Sequence, residues 1–372
     1  PLMTCEVTIG YATGNAAIDA YKTLKPGTKW YLAGYLHTLA ALIIVGYTSL
    51  IYAWIIKYIA GAISGDFIGL TSEGIQSYFD TFNANKPMVF LFFLINFLLN
   101  DAVIILGVQK GIERVSKILI PILFVIMIVI IIFGLRLPGA KEGLTFLFKP
   151  DPSKFSMNSI ITCLGQAFFA LGLAMLGSMV FGSYIKEKDE NIFKDSSVIC
   201  LALVFAGILS GLMILPIVFA TGLTPGEGVG LTFLTLPLAF NVVPFGRILS
   251  VLFYFGFYIA AFTSSVGVLE AIVGQFMERF KLERIKALML ASIIIIAIAA
   301  LSIFYDPAFA FIDNVESNYI LVIGCLLIAL FSARAWKMEN LLEAANIKSP
   351  FIRTWMNVSI KYISPIVIVI IF

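Results

Sequence analysis

The chain consists of long apolar runs separated by short polar segments. An apolar run of ~20 residues is long enough to cross a bilayer as a helix. The runs lack the strict alternation of apolar and polar residues that the strands of a membrane barrel need. The pattern therefore predicts an all-α, polytopic helical membrane protein. It indicates eight complete spans and a partial span at each end: 31–63, 87–106, 118–135, 155–186, 197–221, 247–277, 287–304 and 318–335, with 1–17 and 363–372 as the partial ones.

The stretch 155–186 differs from the other runs because its middle is a poor helix. Glycine in a helix interior costs ~1 kcal/mol relative to alanine, and small residues recur here. Gln166 also lies deep in the apolar run, before the pair Phe168 and Phe169. Two interpretations are open: a small-residue face for helix packing, or a helix broken at the membrane midplane, with the break within 170–177. The small residues are Gly165, Ala170, Gly172, Ala174, Gly177 and Gly182.

Composition and charge narrow the class of protein. Of the 372 residues, 60% are hydrophobic and 13% are charged, with a mean hydropathy of +1.00, which excludes an ordinary soluble domain. Most lysines and arginines fall in alternate loops, so the positive-inside rule assigns 110–114, 185–191 and 278–286 to the cytoplasm. These basic loops are short, and they give no support to nucleic-acid binding.

Motifs for covalent or metal chemistry are absent from the sequence. It contains no glycine-rich phosphate loop, no zinc-ligand spacing and no nucleophile elbow. The four cysteines lie in apolar runs and form no C-x-x-C pair, so we expect neither a disulfide framework nor a cysteine metal site. We therefore expect a protein that is not an enzyme.

Ionisable residues inside apolar runs are costly and mark candidate functional sites. Glu6 and Glu270 are such residues, either as proton carriers or as structural acids with hydrogen-bond partners. For His37, a packed or pore-lining imidazole is favoured over a ligand. The segment 260–265, AAFTSS, places three hydroxyl groups in one span. Such hydroxyls often bond to their own helix, but they also suit a hard cation such as sodium, which prefers oxygen.

Five segments, in order along the chain, resemble the neurotransmitter:sodium symporter family, in particular its bacterial amino-acid branch. The resemblance runs nearly end to end, and it implies a single transmembrane transporter domain over 1–372 with an inverted repeat of five plus five helices, some of them discontinuous. By this resemblance, PLMTCEVTIG is the inner part of the second helix, and we expect a chain trimmed at both ends. The segments are KGIERVSKILIPILF (110–124), GLTFLFKPD (143–151), GQAFFALGLAMLGSMVFGSY (165–184), FLTLPLAF (233–240) and AAFTSS (260–265).

The resemblance also implies roles for individual residues. Phe169 corresponds to the aromatic residue that closes over a bound amino acid, and Gln166 to a glutamine near the ion sites. A backbone carbonyl and two hydroxyls of the second sodium site correspond to Ala260, Thr263 and Ser264. The implied substrate-binding residues are Tyr47, Phe168, Phe169, Gly172, Met175 and Val268.

The sequence departs from the family pattern at several of these positions. Ala170 and Leu203 stand where the family offers oxygen ligands to the first sodium site, so we expect only the second site to remain. Gly207 replaces a chloride-linked residue, and we expect no chloride dependence. Thr48 falls in the place of a substrate-binding tyrosine, with Tyr47 adjacent.

The favoured hypothesis is sodium-coupled symport of a small, apolar amino acid by alternating access. The alternative is a degenerate, non-transporting or receptor-like membrane binder of the same fold, suggested by the lost ligands. Either protein is multi-pass in the cell inner (plasma) membrane. The expected partners are the amino acid, sodium and the lipid bilayer, with a homodimer possible; no cofactor is expected beyond sodium as the coupling ion.

Overall fold

The computed structural model describes residues 1–186, 190–226 and 228–371. In these ranges the chain is helical and contains no strand. Residues 187–189, part of a predicted cytoplasmic loop, lie outside the described residues. The helices are α1 Leu2–Thr13, α2 Ala17–Leu24, α3 Tyr31–Ser64, α4 Ser72–Ala84, α5 Lys86–Ile105, α6 Arg114–Gly134, α7 Ala140–Phe148, α8 Met157–Ala170, α9 Gly177–Ser183, α10 Ile192–Ala220, α11 Gly228–Gly230, α12 Leu236–Val242, α13 Gly246–Phe280, α14 Arg284–Phe304, α15 Asp306–Val315, α16 Leu321–Leu330, α17 Met338–Ala344, α18 Pro350–Val358 and α19 Ser364–Ile371.

The predicted spans are confirmed as helices. Within the described residues, seven helices are long and apolar enough to cross a membrane, and the interrupted pair α8 and α9 fills the place of the predicted span 155–186. The seven are Tyr31–Ser64, Lys86–Ile105, Lys110–Gly134, Ile192–Ala220, Gly246–Phe280, Arg284–Phe304 and Asp306–Ala335.

Two predicted span starts were wrong. The predictions 118–135 and 318–335 began at Ile118 and Asn318, next to the apolar runs, whereas the helices begin at Lys110 and Asp306. In both cases the polar segment before the apolar run stays helical through a wider π-helical turn, Val108–Glu113 in one and Glu316–Ile320 in the other. A hydropathy pattern underestimates the length of such helices, because charged residues in the first turns lower the hydropathy without ending the helix.

The chain divides into two compact units. Unit 1 comprises Pro1–Tyr47, Lys154–Leu203 and Gly267–Phe372, and unit 2 comprises Thr48–Ser153 and Val204–Val266. Each unit is therefore built from segments that are distant in sequence. The description of 1–372 as a single transporter domain stays a prediction.

In unit 1, α1 and α9 cross at very short range. A Cβ atom added at Gly10 of α1 would lie 1.8 Å from the Met179 carbonyl oxygen, and one added at Gly182 of α9 would lie 2.3 Å from the Val7 carbonyl oxygen. Only glycine permits this approach, because any side chain would overlap the backbone of the other helix. This crossing fixes the position of α9 against α1.

In unit 2, the apolar segment 228–242 folds back on α3 and α13. The hydroxyl of Tyr58 donates to the Phe233 carbonyl (2.9 Å), and that of Tyr254 donates to the Thr232 carbonyl (2.8 Å). Phe233 is buried between these aromatic rings. Beside them Tyr78 of α4 is partly buried, and this burial raises the pKa of its hydroxyl.

Candidate functional site

The predicted break is confirmed by the structure. Helix α8 ends at Ala170 and α9 begins at Gly177. Between them Gly172, Ala174 and Leu176 have positive φ values of 61°, 62° and 70°, a region that residues with a side chain rarely adopt. Such a backbone persists only where the surroundings hold it, and positions of this kind cluster at functional sites.

The break leaves backbone carbonyl groups unpaired. The amide groups of Leu171, Gly172 and Leu173 still donate back into α8. In contrast, the carbonyls of Ala170, Leu171 and Gly172 accept no hydrogen bond from the described part of the chain. Unpaired backbone oxygens inside a membrane protein persist only where they line a cavity or bind a ligand.

The backbone N–H and the backbone carbonyl of Ala174 each form a hydrogen bond with a buried side chain. The Ala174 N–H donates to Glu6 Oε2 at 3.4 Å, and the Ala174 carbonyl accepts from His37 Nδ1 at 3.1 Å. A carbonyl can only accept, so Nδ1 carries the proton, and the neutral His37 ring then accepts at Nε2 from the Tyr21 hydroxyl, 3.1 Å away. Glu6, His37 and Tyr21 are fully buried. His37 is therefore a packed imidazole, the interpretation favoured by the sequence.

A glycine in α16 allows the break to sit where it does. A Cβ atom at Gly324 would lie 2.6 Å from the Ala174 Cβ and 3.3 Å from His37 Nδ1. Both distances are shorter than normal side-chain contacts. The strained residue Ala174 is therefore held by α1, α3 and α16 together.

Most of the predicted substrate residues lie at this break in unit 1. Phe168 and Phe169 lie in the last turn of α8, and their carbonyls accept hydrogen bonds from the amides of Leu173 (3.3 Å) and Gly172 (3.0 Å). The side chain of Phe169 is 37% exposed, whereas Met175 is buried. Gln166 lies on the exposed side of α8, one turn before the break.

Val268 belongs to the last part of α13, which packs against α9 within unit 1. A Cβ atom at the neighbouring Gly267 would lie 4.0 Å from the Phe181 ring, and one at Gly274 would lie 3.2 Å from Val180 Cγ1. Val268 itself is half-buried. This places it on the helix that packs beside the break.

Tyr47 of α3 is buried, and its hydroxyl is already engaged. It donates to Asp313 Oδ1 at 2.8 Å, and its ring packs on Phe309 at a centroid distance of 5.7 Å. The sequence predicted a substrate contact for this tyrosine, and that role remains a prediction. Its bond to Asp313 links α3 to α15.

The predicted sodium ligands lie together in unit 2 on α13. The hydroxyls of Thr263 and Ser264 donate to the Ala260 carbonyl at 3.1 and 3.0 Å, and Thr263 also donates to Ile259. A hydroxyl that donates one bond keeps its oxygen lone pairs, so all three oxygens can still face a cation. These three oxygens are ligands of the kind that sodium prefers, and they supply part of the oxygen shell that the ion needs. On α3, Tyr52 donates to the neighbouring Ala261 carbonyl at 3.2 Å.

At two positions the sequence departs from the family's pattern for the first sodium site, and neither residue has a side-chain oxygen. Ala170 lies at the end of α8 and Leu203 in α10, where its side chain is 37% exposed. At Gly207 nothing lies within 4 Å of an added Cβ atom. The lack of a side-chain oxygen at Ala170 and Leu203 agrees with the expectation that only the second sodium site remains, and this expectation stays a prediction, as does the absence of chloride dependence.

Glu270 is a structural acid. Its carboxylate forms a two-point ion pair with Arg284, at 2.7 and 2.9 Å, and accepts from the Tyr184 hydroxyl at 3.2 Å. The carboxylate is fully buried and Arg284 is 25% exposed. Because a buried charge requires such a partner, this pair ties the end of α9 to α13 and α14.

Sequence reasoning missed Asp313 and Glu316. Both lie in the 30-residue helix Asp306–Ala335, but the predicted span began at residue 318 and so placed them outside the membrane. Glu316 is fully buried. Apolar residues continue at helical spacing before residue 318, and this pattern is the signal that would have placed Asp313 and Glu316 in the helix.

Comparison with known proteins identifies the family. The profile described as "Sodium:neurotransmitter symporter family" matches residues 78–372. A sodium-dependent transporter of Bacillus subtilis (strain 168), YhdH, is 34% identical over 387 aligned positions, covering 100% of this chain and 85% of the relative. A sodium-dependent transporter of Haemophilus influenzae is 31% identical, covering 100% of this chain and 86% of the relative.

A solved structure supports the same assignment. The crystal structure of MhsT in complex with L-phenylalanine superposes with a TM-score of 0.90 at 32% identity, covering 100% of this chain and 87% of that one. The all-α fold with discontinuous helices is therefore that of a known transporter. Together with the family match, this shows that the chain belongs to the sodium:neurotransmitter symporter family and is a multi-pass, sodium-dependent membrane transporter and not an enzyme.

Proposed function

We propose that the protein carries out sodium-coupled symport of a small, apolar amino acid by alternating access. The observation that carries the proposal is the break between α8 and α9, where backbone carbonyls are unpaired beside Phe169 and Met175. Breaks of this kind form the substrate sites of secondary transporters. The likeness to MhsT, whose structure holds L-phenylalanine, supports an amino acid as the substrate.

The unpaired carbonyls suit the positive end of an amino acid. Carbonyl oxygens accept from an ammonium group, and they also suit sodium, which prefers oxygen ligands. Around them the side chains of Phe169, Met175 and Val268 are apolar, and the small residues Ala170 and Gly172 leave room beside the ring. The chemistry favours an apolar side chain on the substrate.

For the coupling ion, we propose the oxygens of Ala260, Thr263 and Ser264. The lost oxygens at Ala170 and Leu203 favour one sodium per substrate. We expect the protein in the cell inner (plasma) membrane, and a homodimer stays a prediction.

A second candidate is a non-transporting binder of the same fold. The specific observation in its favour is the replacement of first-site ligands by Ala170 and Leu203. It predicts amino-acid binding without uptake, whereas the symporter predicts both.

The direct test is binding of labelled L-phenylalanine and L-leucine to the purified protein in sodium chloride and in choline chloride. We expect binding only with sodium, and its loss in Met175→Trp, which fills the proposed pocket. Equal binding in both salts, or unchanged binding by that variant, would refute the proposed site.

A further inference from the structure

Two side chains connect the break in unit 1 to the short helix α2. His37 of α3 donates from Nδ1 to the Ala174 carbonyl at 3.1 Å, and the Tyr21 hydroxyl of α2 donates to His37 Nε2, also at 3.1 Å. Both side chains are fully buried, and their rings stack with a centroid distance of 5.9 Å. Tyr21, His37 and Ala174 thus form one continuous chain of hydrogen bonds, which we call the relay.

The protons of the relay have a defined arrangement. The Ala174 carbonyl can only accept, so the proton of the neutral ring lies on Nδ1, and Nε2 is then an acceptor. The Tyr21 hydroxyl supplies the proton that Nε2 needs. Each bond to a histidine nitrogen sets the tautomer that the other bond requires. Because both nitrogens of His37 are bonded, the orientation of the ring is fixed, and with it the position of the Ala174 carbonyl.

The position of the Ala174 peptide matters for the proposed substrate site. Ala174 has a φ of 62°, which a residue with a side chain adopts rarely and keeps only where its surroundings hold it. It lies between Gly172 and Met175, two of the proposed substrate-binding residues. A rotation of the Ala174 peptide would move both of them, so the relay holds the geometry of the site.

Helix α2 is itself anchored to the end of α13. The amide of Ile18 donates to Gln275 Oε1 at 3.1 Å. The amide of Ala16, just before the helix, donates to Glu278 Oε2 at 2.7 Å. The first amides of a helix have no partner within it, so α13 supplies acceptors that α2 lacks. The positive-inside rule assigns 278–286 to the cytoplasm, so the relay runs from a cytoplasmic helix to the break.

We propose that Tyr21 and His37 are positioning residues for the transported amino acid. They hold the Ala174 peptide in the conformation that binds substrate, and they couple this conformation to the docking of α2 on α13. This inference rests on the proposed amino-acid transport. When α2 leaves α13, the Tyr21 hydroxyl leaves His37, the ring is free to turn, and the Ala174 peptide relaxes to a conformation of lower affinity. Release of the amino acid to the cytoplasm is thereby favoured.

The first experiment tests the relay without substrate. His37 is the only histidine among the 372 residues, so nitrogen-15 NMR of full-length protein labelled at histidine reports its ring, and loss of the signal in His37→Asn assigns it. We expect the proton on Nδ1, and a shift of the Nε2 signal in Tyr21→Phe. A proton on Nε2, or an Nε2 signal that Tyr21→Phe leaves unchanged, would overturn the proposal.

The second experiment measures the affinity for labelled L-phenylalanine in sodium chloride. Asparagine at position 37 places its amide near the position of Nδ1 and can still donate to the Ala174 carbonyl, whereas glutamine places it near Nε2 and cannot. A lost buried hydrogen bond changes an equilibrium by about fivefold, and an unsatisfied partner by roughly tenfold or more. We therefore expect about a fivefold loss of affinity in Tyr21→Phe, and a larger loss in His37→Gln than in His37→Asn.

Equal affinity of these variants and wild type would overturn the positioning role. Tyr21→Phe keeps the aromatic ring and removes one oxygen atom, so it tests the relay even where a variant of His37 does not fold. Rescue by asparagine but not by glutamine assigns the effect to the bond with the Ala174 carbonyl. Equal losses in the two variants of His37 would contradict that assignment.

Tyr254→Phe is the matched control for Tyr21→Phe. Its fully buried hydroxyl also donates one bond to a backbone carbonyl, that of Thr232 at 2.8 Å, but in unit 2. We expect both variants to lose thermal stability to a similar extent, and only Tyr21→Phe to lose affinity. The same loss of affinity in both would show a general effect of lowered stability and would overturn the proposal.

Gln275→Leu tests the coupling to α2, because it removes the acceptor of the Ile18 amide and keeps a side chain of similar volume. We expect a loss of affinity in the wild-type background and no further loss in combination with Tyr21→Phe, since the relay is then already cut. Residues in one hydrogen-bond network are non-additive in this way. Additive losses would contradict coupling through the relay.

The outcomes separate this proposal from the proposed function. If wild type binds no amino acid in sodium chloride, the proposed function fails and the positioning role falls with it, while the NMR result still decides whether the relay exists. If wild type binds the amino acid and the relay variants bind it equally well, the proposed function stands and the positioning role alone is refuted.

Discussion

The crossing of α1 and α9 gives the sharpest mutational prediction. In Gly10→Ala the new methyl carbon would lie 1.8 Å from the Met179 carbonyl oxygen, whereas carbon and oxygen normally approach to about 3.3 Å. The helices must therefore separate by roughly 1.5 Å. The atom in the way belongs to a backbone, so no side-chain rotation relieves the contact.

Overpacking of this kind costs about 1–3 kcal/mol. The displaced helix begins at the break, so we expect the cost to appear in substrate binding as well as in stability. If ~2 kcal/mol of this cost falls on the substrate-bound state alone, the affinity for the amino acid falls roughly 30-fold. The assay is sodium-dependent binding of labelled amino acid, with thermal unfolding of the same samples in detergent.

Gly207→Ala is the matched control for this variant. It makes the same chemical change inside a long helix, at a position where nothing lies within 4 Å of the new carbon. We expect its stability to be equal or slightly higher, because alanine favours a helix by up to ~1 kcal/mol over glycine. Equal affinity and stability of Gly10→Ala and wild type would refute the reasoning, since the crossing would then be looser than the structure shows.

Further predictions concern the ion sites, the substrate and a buried ion pair. Thr263→Ala combined with Ser264→Ala should abolish the sodium dependence of uptake, while Leu203→Asn alone should change it little; a wild-type rate that rises with the square of sodium concentration would show a second working site. Leucine and phenylalanine should compete for uptake far better than glutamate or lysine, and equal competition would contradict an apolar pocket. Arg284→Gln leaves its buried carboxylate partner unpaired and should destabilise the protein by about 3–5 kcal/mol, whereas Lys286→Gln, in an exposed pair, should shift unfolding by less than ~1 kcal/mol.

Composition marked 155–186 as a weak helix, but it left open whether the small residues form a packing face or a break. Gly172 and Gly177 lower the helix propensity at this point, and this local weakness is visible without tertiary contacts. The spans were predictable for the same reason, since hydropathy is a local property. Their starts were less predictable, as the helix that begins at Asp306 shows.

The contacts that hold the break could not be predicted from the sequence. Glu6 and His37 meet Ala174 across separations of 168 and 137 residues, and no local pattern specifies such a meeting. The sequence left Glu6 open as a proton carrier or a structural acid, and only the bond to the Ala174 amide shows a structural partner. The full burial of Glu316 is equally a product of tertiary packing.

Sodium-driven accumulation is the measurement that tests the central claim most directly. The full-length protein would be reconstituted into liposomes, and labelled L-phenylalanine would be followed with an inward sodium gradient, with equal sodium on both sides, and with choline in place of sodium. We predict accumulation above the external concentration only with the gradient, and its collapse when an ionophore dissipates that gradient. Uptake that is equal under all three conditions, or binding without any accumulation, would contradict sodium-coupled symport.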